Sequence, residues 1–344
     1  MSRKIQHRRR EPSPGLFRLT LPLPFPGLDE VNAYLIDDGD EVTLVDTGLH
    51  LPDDESDHGW GHVVAALAAC DRAPAEVSRL IITHTHIDHY GMAGRLKEES
   101  GCEIWIHKEG AEELDHYRDP EKYAAGLRET YKDHGIPPQE LAEITKYEDW
   151  RHFVHSVVEA DRWLDGDESV SIGGRDWQFV YTPGHARSHV CLWNERDSLF
   201  ISGDHLLGSI TPHIDYRRGA GDPLGDYLES LRKVEKLAPK IVLPGHGRPF
   251  EDGAERARAT AHHHERRLGA ILQVVRRKAC TADEITQAIF GATLLDFQKR
   301  LALGEALAHI HYLRLRDEIE RVELEDGTRL YKKKSRRPPQ EVEE

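Results

Sequence analysis

The stretch Thr83-His84-Thr85-His86-Ile87-Asp88-His89 puts three imidazoles and a carboxylate within six residues. It directly follows the apolar run Leu80-Ile81-Ile82, so its setting is the end of a strand. A strand that ends in a tight loop can aim alternate side chains at one point. Neutral imidazole nitrogen together with carboxylate oxygen suits a borderline cation such as Zn²⁺. One ion could not use all four groups comfortably.

Three more segments lie further along the chain, each with a potential ligand beside glycine: Thr182-Pro183-Gly184-His185, Ser202-Gly203-Asp204 and Pro244-Gly245-His246-Gly247. Ser202 and Pro244 directly follow the strand-like runs Leu199 to Ile201 and Ile241 to Leu243. In a chain with 22 His an isolated H-x-H is ambiguous, but four such pieces in one order are not. Together they resemble the metallo-β-lactamase-fold hydrolase superfamily, whose pattern is H-x-H-x-D-H, a distant His, a bridging Asp and a final His. The resemblance implies that His84, His86 and His185 hold one divalent ion and that Asp88, His89 and His246 hold a second, with Asp204 bridging both. No ligand position departs from the dinuclear pattern. The metals implied are two Zn²⁺, which iron or manganese could replace without any change visible in sequence. Val45-Asp46-Thr47-Gly48 matches the family's early Asp, so Asp46 is expected to orient a ligand from behind.

The activity implied is hydrolysis by a hydroxide that bridges the two ions. Ions roughly 3.5–4 Å apart share one water and lower its pKa from about 15.7 towards 7. The hydroxide would attack a carbonyl polarised by one ion, while the other stabilises the oxyanion or the departing thiolate or alkoxide. Asp204, as the bridge, and Asp88, as a group able to help move the proton, are the expected catalytic carboxylates.

The ligands alone do not choose between thioesters, lactones, β-lactams and phosphodiesters. The charge narrows the choice: 46 Lys and Arg against 61 Asp and Glu give −15, a surface that repels polyanions. The basic stretches are terminal, Arg3 to Arg10 and Lys332 to Arg337, and read as solvated tails. A small-molecule acyl substrate, most simply a thioester, is therefore expected. The alternatives are endoribonuclease action on single-stranded RNA and, in a different class, a binding module with structural metals.

With 38% hydrophobic residues the chain can bury a full core. No stretch approaches the roughly 20 apolar residues that span a bilayer, and no apolar segment follows the basic start. The four cysteines, Cys70, Cys102, Cys191 and Cys280, are scattered and read as buried reduced thiols. These features predict a cytoplasmic enzyme without a membrane partner.

Strand, loop and helix units alternate from about Leu16, predicting strands at Leu16 to Leu21, Ala33 to Ile36, Val42 to Val45 and Cys102 to Ile106. The family resemblance predicts that these build a four-layer αββα sandwich, an α/β fold, over residues 16–255, preceded by a flexible basic tail at residues 1–15. Residues 109–163 interrupt the alternation with a charged helical stretch, expected as a lid beside the metals. Its aromatics, Tyr117, Tyr123, Tyr131, Tyr147, Trp150 and Phe153, are candidates to line an acyl pocket.

Past Glu255 the composition turns helical: Ala261 to Arg277, a capping box at Thr281-Ala282-Asp283-Glu284, then Leu295 to Arg316. A hairpin follows around Asp326-Gly327. Residues 261–331 therefore read as a small winged-helix-like domain before a charged tail at 332–344. The three helices and wing of this domain resemble the branch with endoribonuclease-like β-lactamase homologues and acyl-carrier-protein thioesterases. The presumptive recognition helix carries Asp296 and Glu305 beside Lys299 and Arg300, which favours packing or homodimerisation over nucleic acid. His262-His263-His264 is expected as a solvated helix end.

Overall fold

The computed structural model of the chain describes residues 7–25, 27–51, 58–146, 148–219 and 221–334. The chain forms two compact units, one of Met1–Tyr123, Tyr147–Pro212 and Asp226–Thr260, the other of Ala124–Lys146, His213–Gly225 and Ala261–Glu344.

The first unit holds two six-stranded sheets. One runs in chain order through β1 (Leu16–Phe25), β2 (Leu28–Asp37), β3 (Val42–Val45), β4 (Val77–Ile81), β5 (Glu103–His107) and β6 (Arg162–Leu164). The first three pair antiparallel and the rest parallel. The other contains β7 (Ser169–Ile172), β8 (Arg175–Tyr181), β9 (Val190–Asn194), β10 (Leu199–Gly203), β11 (Ile241–Pro244) and β12 (Phe250–Glu251), with β10 and β11 parallel. Every residue of β3, β9 and β10 is buried, as expected for strands covered on both faces. Tyr34, Ile81 and Trp105 from one sheet share a core with Trp177, Phe179 and Leu243 from the other, so the sheets face each other.

β1 continues four residues past the expected end at Leu21, through Pro22 and Pro24. It tolerates both prolines because it is an edge strand paired only with β2, with its register shifting between Pro22 and Phe25.

Among the described residues the α-helices are α1 (His58–Ala68), α2 (Ile87–Tyr90), α3 (Ala93–Ser100), α4 (Gly110–Arg118), α5 (Pro120–Tyr131), α6 (Pro138–Ile144), α7 (Glu148–Arg151), α8 (Pro223–Leu237), α9 (Gly253–Arg277), α10 (Ala282–Phe290) and α11 (Asp296–Leu315). α8 buries Leu228, Leu231 and Val234 as its apolar spacing requires, and Lys233 reaches the Tyr181 carbonyl on β8 at 2.9 Å. Helices outside two facing sheets make the αββα sandwich.

Two expectations need correction. Residues 7–15 are not a loose tail: Arg9 lies over the Phe17 ring at 4.7 Å, and Arg175 donates to Ser13 Oγ at 2.9 Å. The stretch 109–163 is not one lid, because residues 124–146 belong to the second unit. Within that unit Tyr131 is fully buried and bonds Asp215, the His134 carbonyl accepts from Asp283 N, and Asp133 pairs with Arg329. The two units divide between Thr260 and Ala261, inside α9, a 25-residue helix whose Ala- and Arg-rich sequence contains no proline.

In the second unit the Thr281 box forms as read, Thr281 Oγ1 accepting from Glu284 N and Glu284 Oε2 accepting from Thr281 N. The antiparallel hairpin of β13 (Ile319–Glu323) and β14 (Arg329–Lys333) follows α11. His262 is exposed, but His264 is fully buried in the middle of α9, since two steps of about 100° along the helix carry the chain from the solvent side to the interior side.

Candidate metal centre

The strand ends deliver the ligands. β4 stops at Ile81, the loop carries His84 and His86, and the single turn of α2 brings Asp88 and His89 round. β8 leads to His185, β10 ends one residue before Asp204, and β11 ends two before His246. All seven predicted groups meet in the first unit.

Two of the groupings named above are close in space. His84, His86 and His185 offer ligand atoms within 4.8 Å of one another, as do Asp88, His89 and His246. Asp204 joins the sets: its Oδ2 lies 3.7 Å from His185 Nε2 and 3.3 Å from His246 Nε2, and its Oδ1 lies 3.4 Å from His89 Nε2. His246 Nε2 is also 3.2 Å from Asp88 Oδ2. His89 Nε2 and Asp204 Oδ1 are buried and without a hydrogen-bond partner. Orphaned polar atoms facing one another in a dry site are costly unless a cation completes them, so these residues fit a metal.

The electrostatics agree. Burial opposes ionisation of Asp88, yet His89 and His246 hold its carboxyl down at about 2. Asp204 is likewise held well below the usual carboxylate range, with His246 and His89 outweighing burial. Burial and its imidazole neighbours press His84 well below the ordinary histidine value. His89 and His246 are raised, His246 to about 10, because Asp204 and Asp88 outweigh desolvation. To serve as metal ligands, these two imidazoles would have to give up their protons.

A supporting set of contacts fixes the tautomers. Asp46, at a φ of 63° that aspartate tolerates, accepts from His89 Nδ1 and from Thr83 Oγ1, each at 2.8 Å. Its other oxygen accepts from Thr83 N. With its hydroxyl hydrogen committed to Asp46, Thr83 Oγ1 accepts from His84 Nδ1 at 3.1 Å and leaves His84 Nε2 for a ligand. His246 Nδ1 donates to the Glu30 carbonyl at 2.8 Å. Gly245 is obligatory, since a Cβ there would stand 2.3 Å from Asp204 Oδ1 and 2.8 Å from His89 Cε1.

Sequence reasoning missed His189. Fully buried, its Nε2 accepts from Asp204 N at 3.1 Å and its Nδ1 meets Thr182 Oγ1 at 2.9 Å, so it fixes the loop that presents Asp204. Its position four residues after His185 was the one available signal. The aromatic candidates take varied places. Tyr117 is buried and donates to the Thr85 carbonyl at 2.8 Å, and Tyr123 packs on His116. Trp150 and Phe153 pack on Phe25, Tyr131 lies in the second unit, and Tyr147 lies outside the described residues.

A family model described as the metallo-β-lactamase superfamily matches residues 26–246, more than half the chain. The chain belongs to this superfamily. A second model, the metallo-β-lactamase-like C-terminal domain, matches residues 268–334. The chain is 26% identical over 313 residues to a Bacillus subtilis protein named as a probable metallo-hydrolase, covering 88% of this chain and 92% of that one. It is 26% identical over 285 residues to an Aspergillus fumigatus atrochrysone carboxyl ACP thioesterase, covering 79% of this chain and 72% of the relative. The crystal structure of a Burkholderia ambifaria β-lactamase domain protein superposes with a TM-score of 0.82 at 30% identity over 94% of each chain. A Thermus thermophilus family protein gives 0.81 at 29%, covering 94% of this chain and 99% of its own. This superfamily member is thus a metallo-hydrolase with His and Asp groups that could hold metal, and no helix among the described residues is long and apolar enough to cross a membrane.

Proposed function

We propose that the chain hydrolyses a carboxylic thioester with two divalent ions, most simply Zn²⁺, held by His84, His86 and His185 and by Asp88, His89 and His246, with Asp204 shared. The observation that carries the metal reading is that the buried His89 Nε2 and Asp204 Oδ1, 3.4 Å apart at the junction of the two sets, make no hydrogen bond. When bound, the ions would supply Lewis acidity towards the acyl carbonyl and acidify water. The residues do the rest: Asp46 keeps His89 in one tautomer, His189 holds the Asp204 backbone, and the ionised Asp88 is available to accept and pass on a proton.

The thioester preference is supported by the net charge of −15 and by the thioesterase named among the relatives. It also draws support from α11, where Lys299 is engaged by Glu140 and Asp283 rather than offered to a phosphate backbone. The test is hydrolysis of an acyl-thioester series, short to long chain, beside single-stranded RNA, by metal-quantified protein and its Asp204→Ala variant. Thioester turnover that disappears in the variant is expected. RNA cleavage without thioester turnover would overturn the substrate assignment.

A further inference from the structure

Two separate loops carry the three-histidine set, and one side chain ties them together. Glu113 projects from α4, at the start of the helical stretch that interrupts the sandwich. Its Oε2 accepts from Thr85 Oγ1 at 2.7 Å and from Ser188 Oγ, and its Oε1 accepts from Arg187 N at 2.9 Å. Thr85 stands between His84 and His86, while Arg187 and Ser188 follow His185 by two and three residues. Thr85 is 2% and Ser188 0% exposed, so the two hydroxyl bonds to the half-buried Glu113 are partly shielded from water, while the bond from Arg187 N lies at the surface. α4 adds a second hold on the same loop through Tyr117, whose hydroxyl donates to the Thr85 carbonyl. The approach is close: a Cβ on Gly110 would lie 3.3 Å from Thr85 Cγ2 and 2.7 Å from Ile106 Cγ2.

The other ligand set does not use this helix. His89 is oriented by Asp46 and His246 by the Glu30 carbonyl. We infer that Glu113 is a positioning residue for one ion alone, a carboxylate latch that preorganises His84, His86 and His185 and makes the occupancy of that set depend on α4. Contacts behind metal ligands typically change affinity by about 10–100-fold. This inference rests on the dinuclear reading above.

The experiment is release of Zn²⁺ from the full chain dialysed against graded chelator, with ions per chain counted at each step. In Glu113→Ala one of the two ions should leave at roughly 10–100-fold lower free chelator, with the other unmoved. In Glu113→Gln retention should stay near wild type, because the amide oxygen accepts from Arg187 N while its NH₂ donates to the two hydroxyls. Repeating the pair in a His246→Ala background, which retains the three-histidine set, should shift the remaining ion by the same factor. Unchanged release of both ions in Glu113→Ala, or equal weakening of both alongside a lowered melting temperature, overturns the latch. A wild-type chain that binds no Zn²⁺ overturns the metal reading instead, and it does so before any variant is made.

Discussion

Among the described residues, two buried clusters combine histidine with carboxylate, and they are built oppositely. In the first unit Asp88 and Asp204 meet only imidazoles: among the described residues no Lys or Arg forms an ion pair with either. In the second unit His264, Glu305 and His309 also offer ligand atoms within 4.8 Å of one another. There Arg267 already binds the Glu305 carboxylate, His264 Nδ1 meets His309 Nε2 at 3.1 Å, and His309 Nδ1 donates to the Glu305 carbonyl at 2.7 Å. The lesson is that ligand types at ligand distances do not make a metal site. What separates the two is whether a permanently charged side chain, Arg267 in the second cluster, already neutralises the carboxylate.

The strongest attack on this contrast is Asp204→Ala. Removing the shared carboxylate should lower metal content and reduce kcat/KM on the order of 10³-fold, about 4 kcal/mol of transition-state stabilisation. Elemental analysis beside steady-state kinetics checks both. Full metal and full activity would mean that Asp204 does not join the sets. Asp46→Asn should have a smaller effect, about 10–100-fold in metal affinity, because the amide can accept from only one side while His89 keeps its place in the fold. Competitive chelation measures it, and unchanged affinity would reduce Asp46 to a packing residue.

The ligand segments were legible because each is local: a few residues at a strand end, marked by glycine and preceded by an apolar run. The Thr281 capping box and the Asp326-Gly327 hairpin were legible for the same reason. Glu113 and His189 were not, since their importance lies in partners 28 to 75 residues and 7 to 15 residues away that no periodicity announces. The division of residues 109–163 was hidden too. Tyr131 and Tyr117 look alike in sequence, and long-range packing sends one to Asp215 and the other to Thr85. His264 was misread because a run of three histidines hides which one faces inward.

From the second cluster, His309→Gln should leave both the ion count and kcat/KM at wild-type levels. It should cost about 1–3 kcal/mol of stability, the usual penalty for disrupting a buried hydrogen-bonded polar group. Denaturant unfolding followed by fluorescence gives the stability, and loss of one ion per chain would erase the distinction between the clusters.

Acid should then expose what the second unit does with its neutral histidines. Burial pushes His134 and His264 down to about 3 and His309 down to about 4, with the neighbouring Arg329 adding to the first and the paired imidazole to the second. A folded value below the ordinary 6.5 means that the unfolded chain binds protons the folded chain refuses. The stability these groups contribute is therefore complete above pH 6.5 and falls as the pH drops towards about 3–4, by up to one proton per histidine. Glu305, held at about 2 by His213 and Arg267 against burial, stays ionised through that window and does not supply the slope. Unfolding free energy of metal-free Asp204→Ala protein, measured between pH 7 and 4.5, isolates this slope from ion release at the other cluster. His309→Gln should flatten it by roughly one proton, and an identical slope in the variant would show that the second cluster takes up its protons without opening.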